Sequence, residues 1–238
     1  IKRAVLGEIA RHCPEAVIAT NTSYLDLDAL ADGLGLGDRF IGLHFFSPAH
    51  VMRLVEVVVA EATAPATVAT GFAFAKRLGK VAVRSAVCDG FIGNRIMSAY
   101  RRAADLMALD GTPVDAIDAA VRGYGFAMGP FEMGDLAGLD IGWAARKRQA
   151  ASRDPAARDH GALADRLCEA GWFGRKSGRG WYDHGGDAPV PNPALPGLLE
   201  EIQAAEGITP RALSEAGIVA RFETAMMMEA ARVIEDGI

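Results

Sequence analysis

TNTSYLDLDALADGLGLGDRFIGLHFFSPAHVMRLVEVV, residues 20–58, holds two apolar runs with polar residues close behind them. It contains FIGLHF (40–45) and the start of LVEVVV (54–59), and AVIAT (16–20) leads into it. All three runs are short, apolar and bounded by turn residues, the pattern of buried strands. A helix-length segment separates AVIAT from FIGLHF, so these two form a βαβ unit with parallel strands. In open α/β sheets the ligand lies outside the carboxyl ends of the strands. Asn21, Ser23, His44 and Ser47 follow strand ends, and chemistry is expected there.

Outward from this centre, 2–12 reads as a helix and a second helix spans about 26–31. TAPATVATGFAFAKRLG (63–79) is a helix stopped by Gly79, and KVAVR (80–84) is the last strand. From Asp89 onward the apolar period changes from 2 to 3.6, giving helical faces over 91–110, 113–122 and 131–149. Gly111 ends the first, and Pro113 suits the first turn of the second. Residues 150–160 read as a polar surface loop and 161–170 as a short helix. GWFGRKSGRGWYDH (171–184), with its spaced glycines, reads as a flexible lid, and GGDAPVPNPALPG (185–197) as a linker. Two further helical patterns fill 198–237. The Met227, Ala231 and Ile234 stripe in the second reads as core packing.

The 238 residues, half of them apolar, suffice for one large domain or two smaller ones. A net charge of −5 and the absence of any Lys/Arg run argue against a nucleic-acid partner. No apolar stretch reaches the roughly 18 residues that span a bilayer. The opening IKRAVLGEIARHC is an amphipathic helix pattern rather than a signal peptide. Lacking an initial Met, it reads as part of a longer protein. Cys13, Cys88 and Cys168 are widely spaced with no metal-ligand pattern, so they read as free thiols in a reducing, cytoplasmic setting.

A histidine in an apolar setting is ordinarily a satisfied core residue, but Glu56 changes the reading of His44. A carboxylate inside LVEVVV is costly to bury unless paired, and a strand returning antiparallel brings it beside His44. The pairing would orient the imidazole and favour one tautomer, as a general acid/base near neutral pH requires. The alternative is an isolated structural salt bridge. Ser23 also suits a helix N-cap, and Asn94 an ordinary first-turn position. Arg95, Arg101 and Arg102 read as a solvated face. The glycines of ADGLGLGDR (31–39) follow a helix rather than a strand, so they read as a plain loop and not a phosphate cradle.

NTS (21–23), RFIGLHFFSP (39–48), LVEVV (54–58), DGFIGNR (89–95) and MGPFEMGDLAGLD (128–140) resemble the L-3-hydroxyacyl-CoA dehydrogenases over about residues 1–182. The resemblance implies an α/β, partial Rossmann-like domain over 1–87 and a mainly α-helical dehydrogenase C-terminal domain over 88–184. A linker (185–197) and the start of a second helical repeat (198–238) follow. It implies NAD as cofactor and an acyl-CoA as substrate, with His44 and Glu56 as the catalytic dyad. Ser23, Ser47 and Asn94 would contact substrate, and Lys2, Asn21 and Ser23 the cofactor. Many members carry Asn where Ser47 stands. A hydroxyl can still donate a hydrogen bond there, and multifunctional members resemble this chain in using Ser.

The family's nucleotide domain opens with a strand, a GxGxMG turn and a helix that receives the pyrophosphate. No such turn occurs in these 238 residues. The chain is therefore expected to bind NAD poorly by itself and to expose the edge of strand 16–20, favouring a homo-oligomer. GWFGRKSGRGWYDH and RFETAMMMEAARVIEDGI (221–238) resemble segments of multifunctional fatty-oxidation proteins that fuse an enoyl-CoA hydratase to the dehydrogenase. That resemblance also implies a thiolase as partner. The alternatives are a non-catalytic helical assembly module and a related 3-hydroxy sugar-acid dehydrogenase of the gulonate type.

Overall fold

Strand β2 (Phe40–Phe45) is buried along almost its whole length because both its faces are covered, as for an inner strand of an α/β sheet. A computed structural model describes residues 1–149, 158 and 160–238. In it β1 (Ile18–Thr20), β2, β3 (Leu54–Val59) and β4 (Val81–Ala86) form one sheet in that order. The β1–β2 and β3–β4 pairs are parallel and the β2–β3 pair antiparallel. Strand alternation sorts the side chains. Ile41, Leu43 and Val57 face one way with Phe45 and Phe72 against them. Phe40 and Val58 join Leu6, Ile18, Leu27, Leu30 and Phe91 on the other face. Helix α3 (Pro65–Arg77) lies on the first face, where the absent side chain of Gly71 admits the Ile41 methyl. Helices α1 (Lys2–His12) and α2 (Leu27–Ala31) supply Leu6, Leu27 and Leu30 to the second. Gly42 is needed there because a Cβ would stand 2.7 Å from that of Val58.

The chain divides into two compact units, one of Ile1–Met97 with Met228–Ile238 and one of Ser98–Met227. The remaining helices are α4 (Gly93–Leu109), α5 (Val114–Tyr124), α6 (Pro130–Ala137), α7 (Leu139–Gln149), α8 (Ala162–Glu169), α9 (Leu195–Glu206) and α10 (Glu215–Glu235). In the second unit Met107, Ile117, Phe131, Leu163, Leu167 and Trp181 form the core. Two buried carboxylates organise its loops. Asp118 accepts hydrogen bonds from the Phe131 and Glu132 N–H groups and the Tyr182 hydroxyl. Asp135 accepts from the Trp181 and Tyr182 N–H groups, and His184 Nε2 lies 2.9 Å away.

These contacts revise several readings of the sequence. Residues 171–184 are a clasp rather than a flexible lid: Trp181 and Tyr182 are buried, and Gly174 and Gly180 press against Asp135. The stretch 185–197 is no free linker. It contains β6 (Val190–Pro191), paired with β5 (Tyr182–Asp183), and the buried Asn192 and Leu195. Gly138, at φ 100°, breaks the helix expected over 131–149 into α6 and α7. Met227 and Ile234 are 71% and 79% exposed, so their stripe is not core packing. The loop expected over 150–160 lies outside the described residues except for 158 and 160. No helix among the described residues is long and apolar enough to cross a membrane.

The half-buried Asp105 of α4 lines a cavity of about 20 Å³ with Arg101, Arg146, Phe131 and Trp181. Burial raises its carboxyl from 3.8 to about 7, against the pull of Arg101 and Arg146. A raised carboxyl contributes stability below pH 4 that is lost as pH climbs through 7. At about 1.4 kcal/mol per tenfold change in proton affinity the loss is at most about 4 kcal/mol, and solvent access brings it nearer 2. Asp105→Asn is therefore expected to raise the urea midpoint at pH 8 and to leave it unchanged at pH 4. A midpoint gain of equal size at both pH values would assign the effect to packing.

Candidate active site

The β2–β3 ladder sets His44 directly opposite Glu56. Both side chains therefore leave the sheet on the same face. His44 Nδ1 lies 2.5 Å from Glu56 Oε2, with 4% of His44 and 1% of Glu56 exposed. A carboxylate can only accept, so the hydrogen of this bond belongs to Nδ1. Nε2 is the ring nitrogen left over, and it makes no bond to any described residue. Phe46 and Phe91 flank the imidazole at ring-centre distances of 4.7 and 5.6 Å.

The second carboxylate oxygen is held from another direction. Glu56 Oε1 accepts the backbone N–H groups of Ile92 and Gly93, at 3.0 and 2.7 Å. These stand at the amino end of the 17-residue helix α4, where N–H groups lack intrahelical partners and the helix dipole favours negative charge. A buried carboxylate with three such bonds is compensated for most of the water it has lost. The approach depends on two backbone features. Phe91, at φ 48°, is the one non-glycine with positive φ among the described residues. Gly93 has no Cβ, which would lie 2.6 Å from the Phe46 ring. A local cost of order 1 kcal/mol at Phe91 is offset by the bonds that the turn makes.

Of the other candidates, Asn94 follows this turn and is buried. Asn21 stands just past β1, and its Oδ1 accepts the Phe45 N–H, so that its amide hydrogens remain at the carboxyl end of the parallel pair. Lys2 Nζ reaches the Thr20 hydroxyl at 3.4 Å. Ser23 is half-buried and makes no side-chain bond; Asp26, not Ser23, caps α2 through the Ala29 N–H. Ser47 is exposed in the turn after β2 and is not bonded to the pair. The pair and the 92–93 amides thus meet, and Asn94 is the residue that follows those amides in the chain. Arg95 is not part of a solvated face: it is half-buried, with its Nε and Nη2 on Glu229 and Asp236.

Sequence reasoning missed the two amides, Phe46 and Phe91. The available signal was the glycine in GFIG immediately ahead of an amphipathic helix, which marks close backbone approach.

Comparison with known proteins gives a consistent assignment. Residues 1–88 match the family model described as 3-hydroxyacyl-CoA dehydrogenase, NAD binding domain, and residues 90–184 the one described as its C-terminal domain. The peroxisomal bifunctional enzyme of Danio rerio is 40% identical over all of this chain and 35% of its own length. The fatty acid oxidation complex subunit alpha of Shewanella amazonensis is 35% identical over 33% of its length. The chain thus spans about a third of the curated relatives it matches. Among solved structures, 3-hydroxybutyryl-CoA dehydrogenase from Escherichia coli superposes with a TM-score of 0.70 and 35% identity, over 79% of this chain and 41% of that one. The dehydrogenase part of multifunctional enzyme 1 from C. elegans shares the fold at a TM-score of 0.68 and 24% identity, over 99% and 54%.

Proposed function

The chain belongs to the 3-hydroxyacyl-CoA dehydrogenase family, and from that premise we propose that it carries the proton-transfer site for oxidation of (S)-3-hydroxyacyl-CoA to 3-oxoacyl-CoA. The observation that carries this reading is the buried His44–Glu56 pair, with Nε2 unengaged and Glu56 clamped by the 92–93 amides. His44 Nε2 accepts the proton of the 3-hydroxyl while the hydrogen on C3 leaves with its electron pair and the C=O bond forms. Glu56 holds the ring by Nδ1 and offsets the positive charge that develops on it. Ser23 and Asn94 hydrogen-bond the substrate's oxygens, with Ser47 a further contact.

NAD, when bound, supplies the acceptor for that hydride. The free amide hydrogens of Asn21 and the unpaired hydroxyl of Ser23 at the strand end fit the carboxamide of its nicotinamide, with Lys2 a further contact. Gly33 and Gly35 follow α2 rather than a strand, which does not fit a pyrophosphate turn.

The wider setting belongs to the same proposal. Relatives named bifunctional, and one named as a subunit of a fatty acid oxidation complex, support a longer multifunctional protein with an enoyl-CoA hydratase and a thiolase partner. In it residues 198–238 would open a second helical repeat. The outer position of β1 supports self-association of this chain. The three free thiols support the cytoplasm, with the peroxisome of several relatives as the other compartment to examine.

The test is NADH oxidation by the chain and by the longer enzyme with acetoacetyl-CoA, followed by absorbance, with NADH binding titrated in parallel. Turnover in the longer enzyme is expected, with weak NADH binding by the chain alone. Reduction of a 3-oxo sugar acid in preference to the thioester would overturn the substrate assignment.

A further inference from the structure

Arg95 lies one residue beyond the GFIGN turn, and its backbone N–H closes that turn on the Gly90 carbonyl at 3.2 Å. Its guanidinium is engaged twice, by Glu229 Oε1 at 2.6 Å and by Asp236 Oδ2 at 2.7 Å. The Arg95 and Glu229 side chains are 20% and 15% exposed, so this contact is shielded more than an ordinary surface pair. Glu229 also receives Arg232 on its other oxygen, at 3.2 Å. Burial works against its charge, but the bonds from Arg95 and Arg232 hold its carboxyl below the usual range, so it is ionised at neutral pH.

The turn is tightly determined on its inner side as well. Gly90, at φ 79°, admits no Cβ without crowding the Arg95 nitrogen at 3.1 Å, and the Cys88 thiol donates to the Phe91 carbonyl. Between these fixed points stand the Ile92 and Gly93 amides that hold Glu56. The end of α10 therefore braces, through one arginine, the segment that aims two donors at the carboxylate.

We infer that Glu229, assisted by Asp236 and acting through Arg95, is a positioning residue for the His44–Glu56 pair. The inference rests on reading that pair as the proton-transfer site. A guanidinium presents its donors to two carboxylates in a fixed planar fork, whereas an ammonium's donors rotate on a flexible stem, so Lys at position 95 would hold the two carboxylates less rigidly.

The experiment uses Glu229→Ala, Arg95→Lys and, as a control, Glu8→Gln on the exposed face of α1, each in the complete chain. Two readouts need neither cofactor nor turnover: the resonance of the His44 Nδ1 hydrogen, and hydrogen exchange at the Ile92 and Gly93 amides. In Glu229→Ala the two amides are expected to exchange about tenfold faster, through a local opening rather than global unfolding. The Nδ1 hydrogen is expected to move upfield, with the thermal midpoint nearly unchanged. Arg95→Lys should show the same changes at smaller amplitude, and Glu8→Gln none. In the longer enzyme kcat should fall about tenfold with KM for the thioester unchanged, as displacement of a catalytic group predicts. Unaltered amide exchange and an unmoved Nδ1 resonance in both variants would overturn the inference. Altered signals with unaltered kcat would uphold the bracing and count instead against the pair as the proton-transfer site.

Discussion

His44→Gln in the longer enzyme is expected to lower kcat about 10³-fold, within the range that a positioned acid/base contributes. Glutamine can still donate a hydrogen bond to Glu56 Oε2, now 2.5 Å from Nδ1, so the ladder and the clamp on Oε1 survive. It cannot take up a proton at neutral pH. KM for the thioester should change little, because the substitution removes an interaction made as the proton moves rather than one made on binding. Steady-state kinetics with acetoacetyl-CoA and NADH measure both constants. An unchanged kcat would reduce the pair to a structural ion pair and leave the fold as an assembly module.

Asp135→Ala carries the largest expected effect on stability, a loss of about 4 kcal/mol, because it removes the shared acceptor of two buried backbone donors. Its carboxylate accepts the Trp181 and Tyr182 amides and holds His184. Removal strands two buried N–H groups, each worth about 1–3 kcal/mol when unsatisfied. It also opens space beside Gly180, which now faces the aspartate side chain. Urea unfolding followed by tryptophan fluorescence reads the change, since Trp181 is buried against Phe131. A midpoint within error of wild type would mean that water satisfies both amides and that the clasp holds by apolar contact alone.

The sheet and the pair were legible in the sequence because strand-length apolar runs bounded by turn residues mark buried strands. FIGLHF and LVEVVV are continuous apolar runs, and a lone glutamate inside one of them demands a partner across the ladder. What remained hidden was held by groups that have no side-chain signature. The Ile92 and Gly93 amides are main chain. Arg95 meets Glu229 and Asp236 at 134 and 141 residues' separation, and no periodicity reports such a distance. Glycine was ambiguous for the same reason. In 171–184 it suggested freedom, whereas Gly174 and Gly180 are places where a neighbouring residue has taken the space of a side chain. The α10 stripe shows a related limit: a period of 3.6 says that one face is apolar and not what covers it.

The anchorage of Glu56 gives adjacent codons opposite mutational tolerance. At position 92 the donor is the peptide N–H itself, so every amino acid except proline can supply it, and drift there leaves the carboxylate held. At position 93 the same bond is made where Phe46 occupies the space of a Cβ, so any replacement must displace the ring that lies tilted against His44. A saturation library across the two sites would be permissive at the first and close to invariant at the second.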